Sequence, residues 1–231
     1  MAKVLEREAR SEHRWPALGA ILVALTLYAL LPSTFLPVLR FTVVGVGLLL
    51  LIPVYVLNPL RMTKQTNWSR VFSIIFTSLL AVANAVALVQ LVLQMISGSN
   101  NDGPRLVLAA LQVWSTQIIV FGLIFWELDR GGPVTRTQVT RSKLPEADFR
   151  FPQDENYDSV AEVALRSSKK ADWTANFIDY LYYSLSNSMA FSPPDAVPLT
   201  NRAKILTGLE ALGAYVLLVL VIARAVSLLG S

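Results

Sequence analysis

Apolar positions fall in long unbroken runs rather than alternating with polar ones. The first run is Trp15 to Leu31, closed by Pro32, Ser33 and Thr34. The second extends from about Phe35 to Leu57, with Arg40 near its start, Pro53 near its end and Asn58-Pro59 closing it. A basic linker, LRMTKQTNWSR, leads to a third run from Val71 to Ile96, which ends in the turn cluster SGSNNDGP. The fourth is Leu106 to Trp126, stopped by ELDRGGP. Runs of about 20 apolar residues are long enough to cross the hydrocarbon core of a bilayer as helices. The pattern predicts four spanning helices within residues 15–126, preceded by a charged N-terminal segment, 1–14.

Between Glu127 and Asp172 the character changes. This stretch holds eight Lys/Arg and nine Asp/Glu, with Gly131-Gly132-Pro133, Pro145 and Pro152. It reads as a polar extramembrane loop, 127–172, with one short helix near Val160 to Ser168. Residues 173–231 form the last unit. They comprise the aromatic, hydroxyl-rich stretch Trp173 to Phe191, the proline turn SPPDAVPLT and a final apolar run, Ile205 to Leu229, for which Thr200 or Asn201 is the expected N-cap.

Composition agrees with a membrane protein. Apolar residues make up 54% of the 231, charged residues 16%, and mean hydropathy is +0.50; soluble domains carry about 25% charge. With no cysteine and one histidine, His13, disulfides, thiolate metal sites, multi-histidine metal sites and histidine triads are excluded. No catalytic residue, metal site or cofactor is expected. The net charge of +4 reads as topology rather than nucleic-acid binding, so the expected partner is the lipid bilayer. The dense charge of both signs in residues 1–14 argues against a cleavable signal peptide.

Few polar residues interrupt the runs. Ser73, Thr77 and Asn84 share one helix face, and Gln112, Ser115 and Thr116 another; such faces serve as glue between membrane helices. Gly19, Ala20, Ala24, Gly45, Gly47, Gly208 and Gly213 allow close backbone approach. Arg40 and Glu210 are the two clear charges inside apolar runs, Arg224 lying near the C-terminal end where it can snorkel, and a charge at the bilayer centre costs roughly 2.5–3.5 kcal/mol on insertion scales. The fourth run has no ladder of basic residues, which excludes voltage sensing of that type.

The stretch Asp179-Tyr-Leu-Tyr-Tyr-Ser-Leu-Ser-Asn-Ser-Met-Ala-Phe-Ser-Pro-Pro-Asp-Ala-Val-Pro-Leu-Thr200 resembles the pore loop of potassium channels. Asp179, Leu181, Tyr182, Tyr183 and Ser184 match the pore-helix signature, and Asp195, Pro198 and Thr200 match the positions after the filter. The last apolar run looks like the inner helix of that family, so the likeness covers about residues 177–229. It implies a pore-like helix–turn–helix hairpin and, since such channels are built from four hairpins, a homotetramer. The departure falls on the filter. Ala190-Phe191-Ser192-Pro193-Pro194 stands where the family has two glycines, and with Asp195 it is the filter-equivalent segment. Carbonyl rings replace the hydration shell of potassium in such filters, and glycine permits the backbone that aims them. Proline fixes its own φ and restricts the residue before it, so a potassium-type filter is not expected. WELDRGGP and AFSPPD together are also similar to uncharacterised bacterial membrane proteins distantly related to ion channels, which implies a bacterial inner membrane.

Excess Lys/Arg marks the cytoplasmic side of short loops. Lys3, Arg7, Arg10 and Arg14 precede the first run; Arg61, Lys64 and Arg70 follow the second; the opposite loops have only Arg105. The N-terminus is therefore expected in the cytoplasm, with 127–172 on the same side. The stretch Trp173 to Phe191 would be roughly 28 Å long as a helix, enough to cross. The resulting expectation is an all-α integral membrane protein with four transmembrane helices and the pore-like hairpin, six membrane-embedded helices in all, the fifth crossing fully. On that topology Arg40 and Glu210 lie at one depth and should pair. Two functions stay open: a channel-like homo-oligomeric conduit for ions or small solutes without potassium selectivity, and a non-conducting scaffold or partner subunit that reuses the hairpin for packing. The carboxylates Glu127, Asp129, Asp179 and Glu210 lack any accompanying nucleophile, metal or phosphate motif, so an enzyme is not expected.

Overall fold

The computed structural model describes residues 11–32, 37–57, 62, 67–97, 103–155, 173–189 and 194–229. Its regular elements within them are helices and one short two-stranded pairing. The helices are α1 (Trp15–Ala29), α2 (Pro37–Leu57), α3 (Asn67–Ser97), α4 (Gly103–Leu128), α5 (Pro133–Gln138), α6 (Phe177–Ser188) and α7 (Asn201–Leu229). Among the described residues, three stretches are long and apolar enough to cross a membrane: Arg70–Ser97, Gly103–Gly131 and Asn201–Val226. Trp15–Ala29 and Arg40–Pro53 are shorter apolar helices. The short helix expected near Val160 to Ser168 falls outside the described residues.

α4 is the hub. It packs against α1, α3, α6 and α7, and it is the most enclosed of the three long apolar helices. α1 runs antiparallel to it. At one end the Trp126 indole donates to Glu12, just before α1; further along, Gln112 donates to the Leu30 carbonyl just after α1. The Met62 N–H donates to the Glu12 carbonyl at 3.1 Å, so the α2–α3 connection lies at the end where α1 begins and α4 finishes. We call this the loop end.

At the loop end the chain reverses sharply. Arg130, Gly131 and Gly132 have φ of 52°, 78° and 95°, the left-handed region that glycine enters at little cost. Arg130 is a non-glycine residue there. Its guanidinium is tied down, donating to Asp154 Oδ2 at 2.9 Å and to the Phe149 carbonyl at 3.4 Å. Pro133 then starts α5, a suitable first residue because its missing N–H has no partner in the first turn anyway.

α6 corrects the expected topology. It has 12 residues, about 18 Å, too short to traverse the bundle. Its first N–H meets Glu12 and its first side chain, Phe177, packs edge-on against Trp126. Val197–Pro198 (β2), beyond α6, pairs antiparallel with Phe149–Arg150 (β1), Phe149 opposite Pro198. α7 starts immediately after β2, and Asp148 fastens it. Asp148 accepts from Arg202 at 2.7 Å on both oxygens and from Thr200 Oγ1 at 2.5 Å. Thr200 Oγ1 in turn accepts the Ala203 N–H at 3.3 Å, so of the two N-caps expected from sequence it is Thr200 that serves. The described chain on both sides of α6 thus lies at the loop end, so α6 does not carry it across the bundle. α7 then runs antiparallel to α4 and finishes at the far end, not at the end where the N-terminal segment lies.

Buried apolar side chains form two clusters. One, at the loop end, includes Leu18, Leu25, Phe76, Leu123, Phe125, Trp126, Phe149, Tyr180 and Tyr183. The other, at the far end, includes Tyr28, Val43, Ala87, Leu91, Val113 and Leu217. Between them along α4 and α7 lies a polar layer containing Thr116, Gln117 and Glu210.

Candidate functional site

Two polar constellations emerge at different depths, and α6 belongs to both. The shallower one is at the loop end. Arg136 of α5 is fully buried. Its Nε donates to the Ala175 carbonyl at 3.0 Å, and its Nη1 donates to the carbonyls of Trp126 and Asp129 at 3.1 and 3.0 Å. The guanidinium also lies 4.8 Å from the Tyr180 ring centroid, and Glu12 Oε2 is 3.8 Å from Nη2. One side chain therefore joins the end of α4, the start of α6 and the N-terminal segment. Arginine suits this because its planar fork reaches several acceptors at once and stacks on an aromatic face.

Asp129, also fully buried, accepts the Tyr180 phenol on Oδ2 and the N–H groups of Asp148 and Phe149 on Oδ1, at 2.8 and 3.3 Å. Burial pushes the Tyr180 phenol well above its ordinary value, so it remains a donor. Glu12 accepts the Phe177 N–H at 2.6 Å. Burial raises its carboxyl above the usual value, while Arg136 and the bonds from Phe177 and Trp126 pull it down. Glu12 fills a role that a neighbouring residue usually fills, supplying an acceptor to an unpaired N–H in the first turn of a helix. The rest of that turn is served locally. Asn176 Oδ1 accepts the Ile178 N–H at 2.9 Å and Asp179 Oδ2 accepts the Asn176 N–H at 2.8 Å, a reciprocal cap.

The deeper constellation surrounds Glu210, which has no exposed surface. Ser184 Oγ bonds one carboxyl oxygen and also lies 2.8 Å from the Ile118 carbonyl. Asn187 Nδ2 donates to the other oxygen at 2.8 Å and to the Thr207 carbonyl at 3.0 Å. Gln117 Nε2 donates to the backbone carbonyl of Glu210 at 2.8 Å. Tyr183 and Thr207 hydroxyls are 3.0 Å apart. Two glycines let these helices approach. A Cβ at Gly122 would stand 3.1 Å from the Leu181 backbone, and one at Gly213 would stand 2.9 Å from Gln117 Nε2. A cleft of about 80 Å³ opens beside α6 at the loop end, lined by Phe151, Asp179, Tyr182, Tyr183, Ser186 and Asp195 among others.

The residues singled out from the sequence separate as follows. Asp179 caps α6, Tyr183 and Ser184 are buried on the face toward α4 and α7, and Tyr182 is exposed. Ala190, Phe191, Ser192 and Pro193 lie outside the described residues; Pro194 is half-buried and Asp195 exposed. The expected Arg40–Glu210 pair is not formed. Arg40 donates to the carbonyls of Leu31 and Pro32, at the far end where α1 meets α2, and its guanidinium stacks 4.6 Å from the Phe41 ring centroid. Glu210 is satisfied by a hydroxyl and an amide instead, so neither side chain needs the other.

The polar faces on α3 and α4 act only in part as glue between helices. Ser73 bonds Glu127 and Gln112 bonds the α1 end, whereas Thr77 and Thr116 bond carbonyls one turn back on their own helices. Gln117 and Arg136 do not stand out in the sequence. For Gln117 the available signal is its spacing, two helical turns beyond Ala110, a small residue on the buried face of α4; for Arg136 it is the GGP turn just before it.

Comparisons with protein-family models, with curated proteins and with solved structures find no match. The potassium-channel likeness accordingly rests on Asp179, Leu181, Tyr182, Tyr183, Ser184, Asp195, Pro198 and Thr200 alone.

Proposed function

We propose that this chain is a membrane protein whose α6–α7 hairpin is a re-entrant, channel-like element, and that copies assemble into a homo-oligomeric conduit for ions or small solutes without potassium selectivity. One observation carries the reading: the described chain before and after α6 lies at the loop end, while its tip side chains, Ser184 and Asn187, reach the buried carboxyl of Glu210. A half-length helix with polar groups at its inner end is tolerated at membrane depth only where protein or water satisfies it. The loop end is the cytoplasmic side on the Lys/Arg distribution, with the N-terminus inside and α7 ending outside. Four spans, a half-embedded α6 and α7 make six membrane-embedded helices in the bacterial inner membrane that the resemblance implies. The filter-equivalent prolines oppose carbonyl rings, so selection among ions rests on side chains.

A non-conducting scaffold is the second reading. It is favoured by the enclosure of Glu210, whose carboxyl and backbone are all engaged by Ser184, Asn187 and Gln117. Native mass spectrometry from detergent separates the two. The conduit reading expects a tetramer, and a monomer across detergents would remove it.

A further inference from the structure

We propose that Glu210 is a protonation site of the hairpin: it is held as the neutral carboxylic acid, donating its proton to Ser184, and loss of that proton opens one of the two Ser184 contacts that tie α6 to α4 and α7. Counting hydrogens locates the proton. Ser184 Oγ lies within hydrogen-bond reach of two acceptors, the Ile118 carbonyl at 2.8 Å and Glu210 Oε1. A hydroxyl has one hydrogen to give. A carbonyl oxygen has none, so the second hydrogen must come from Glu210. The arrangement that satisfies every atom is Glu210 Oε1–H to Ser184 Oγ, and Ser184 Oγ–H to Ile118 O. The other carboxyl oxygen fits the same state. Asn187 Nδ2 has two hydrogens and two acceptors, Glu210 Oε2 and the Thr207 carbonyl, so it leaves Oε1 as the position that carries the proton.

The surroundings offer nothing to balance a charge. α4 presents Gln117, which donates to the Glu210 backbone carbonyl, and the Ile118 carbonyl, which accepts from Ser184; both are neutral. From α6 the carboxyl meets Ser184 and Asn187, and the titratable side chain nearby is Tyr183, which bonds Thr207 of α7. α3 also packs on α7, and its one charged residue, Arg70, stands in its first turn. Among the described residues no cation faces Glu210. A buried carboxylate without a partner cation is costly, and such groups commonly stay neutral. Deprotonation gives one hydroxyl hydrogen two acceptors, so either the Ile118 or the Glu210 contact must open. Both contacts hold α6 in place, and the proton leaves to a base in solvent.

If the hairpin conducts, as proposed above, the conduit is sensitive to pH; this consequence alone rests on the conduit reading. The test needs no conduction. Infrared spectra of the full chain in detergent are compared between wild type and Glu210→Gln at neutral pH, alongside hydrogen exchange of α6 from mildly acidic to alkaline pH. Glutamine reproduces the neutral acid's shape and can donate to Ser184, so the variant is expected to fold. The expected result is an acid-carbonyl band present in wild type and missing from Glu210→Gln, with α6 exchange rising several-fold at alkaline pH in wild type alone. Ser184→Ala should move the same band to higher frequency, since the acid loses its acceptor. Superimposable acid-carbonyl regions in wild type and Glu210→Gln, or the same pH dependence of α6 exchange in both, would overturn the proposal. A protein silent in flux assays yet showing the band would count against the conduit and leave the protonation site standing.

Discussion

Glu12 and Phe177 are joined across 165 positions of sequence: the carboxylate before α1 accepts the first N–H of α6 at 2.6 Å. The same side chain accepts the Trp126 indole at 3.1–3.2 Å and faces Arg136 at 3.8 Å. The N-terminal segment is thereby part of the footing of α6.

Glu12→Ala leaves a buried N–H, an indole and a guanidinium short of an acceptor. It should cost about 2–4 kcal/mol of stability, on the scale of a lost partner to buried donors. Glu12→Gln keeps an acceptor oxygen and should cost less. Thermal unfolding in detergent checks the order.

The same residue makes a prediction about pH. Burial raises the Glu12 carboxyl above its ordinary 4.5. A group raised on folding contributes stability that is fully present below the unfolded value and is lost as pH rises through the folded one. Glu12→Gln removes this contribution. Wild type should therefore lose melting temperature more steeply than Glu12→Gln as pH rises above 4.5. A difference of the opposite sign would show that the charged carboxylate is the favoured partner of Arg136.

Arg136→Lys tests the fork at the loop end. Lysine keeps the charge but cannot reach Ala175, Trp126 and Asp129 together while stacking on Tyr180. Each buried carbonyl left without its donor costs about 1–3 kcal/mol. The variant should lose its monodisperse peak in size-exclusion chromatography, and a wild-type melting temperature would contradict the role assigned to the guanidinium.

The three helices long and apolar enough to cross are legible because their apolar runs are long, whereas the runs at Trp15 and Phe35 give shorter apolar helices among the described residues. The course of Trp173 to Phe191 is not legible. Its length permits crossing, and what turns it back is tertiary: Glu12 and Trp126 at its start, and the pairing of Phe149 with Pro198 beyond its end. Glu210 stands out as a charge in an apolar run, but its partners do not. Hydroxyl and amide side chains are common on membrane helices, and no local pattern tells which will meet a carboxyl. Arg136 and Asp129 lie in a segment rich in both charges, where a buried arginine looks like any solvated one.

Two glycines on one helix give a paired test. A Cβ at Gly208 meets nothing within 4 Å, whereas one at Gly213 meets Gln117 Nε2 at 2.9 Å. Gly208→Ala should be neutral or stabilising by up to about 1 kcal/mol through helix propensity. Gly213→Ala displaces the Gln117 amide from the Glu210 carbonyl and should forfeit about 1 kcal/mol for that bond. Melting temperatures of the two variants should fall in that order.

Cation and small-solute flux through vesicles holding the purified chain, with protein-free vesicles as the baseline, decides whether the hairpin forms a conduit. Flux above that baseline with no preference for potassium over sodium is expected, because Ser192, Pro193 and Pro194 replace the filter glycines. Flux no greater than that of protein-free vesicles would overturn the conduit reading, and a strong preference for potassium would overturn its lack of potassium selectivity.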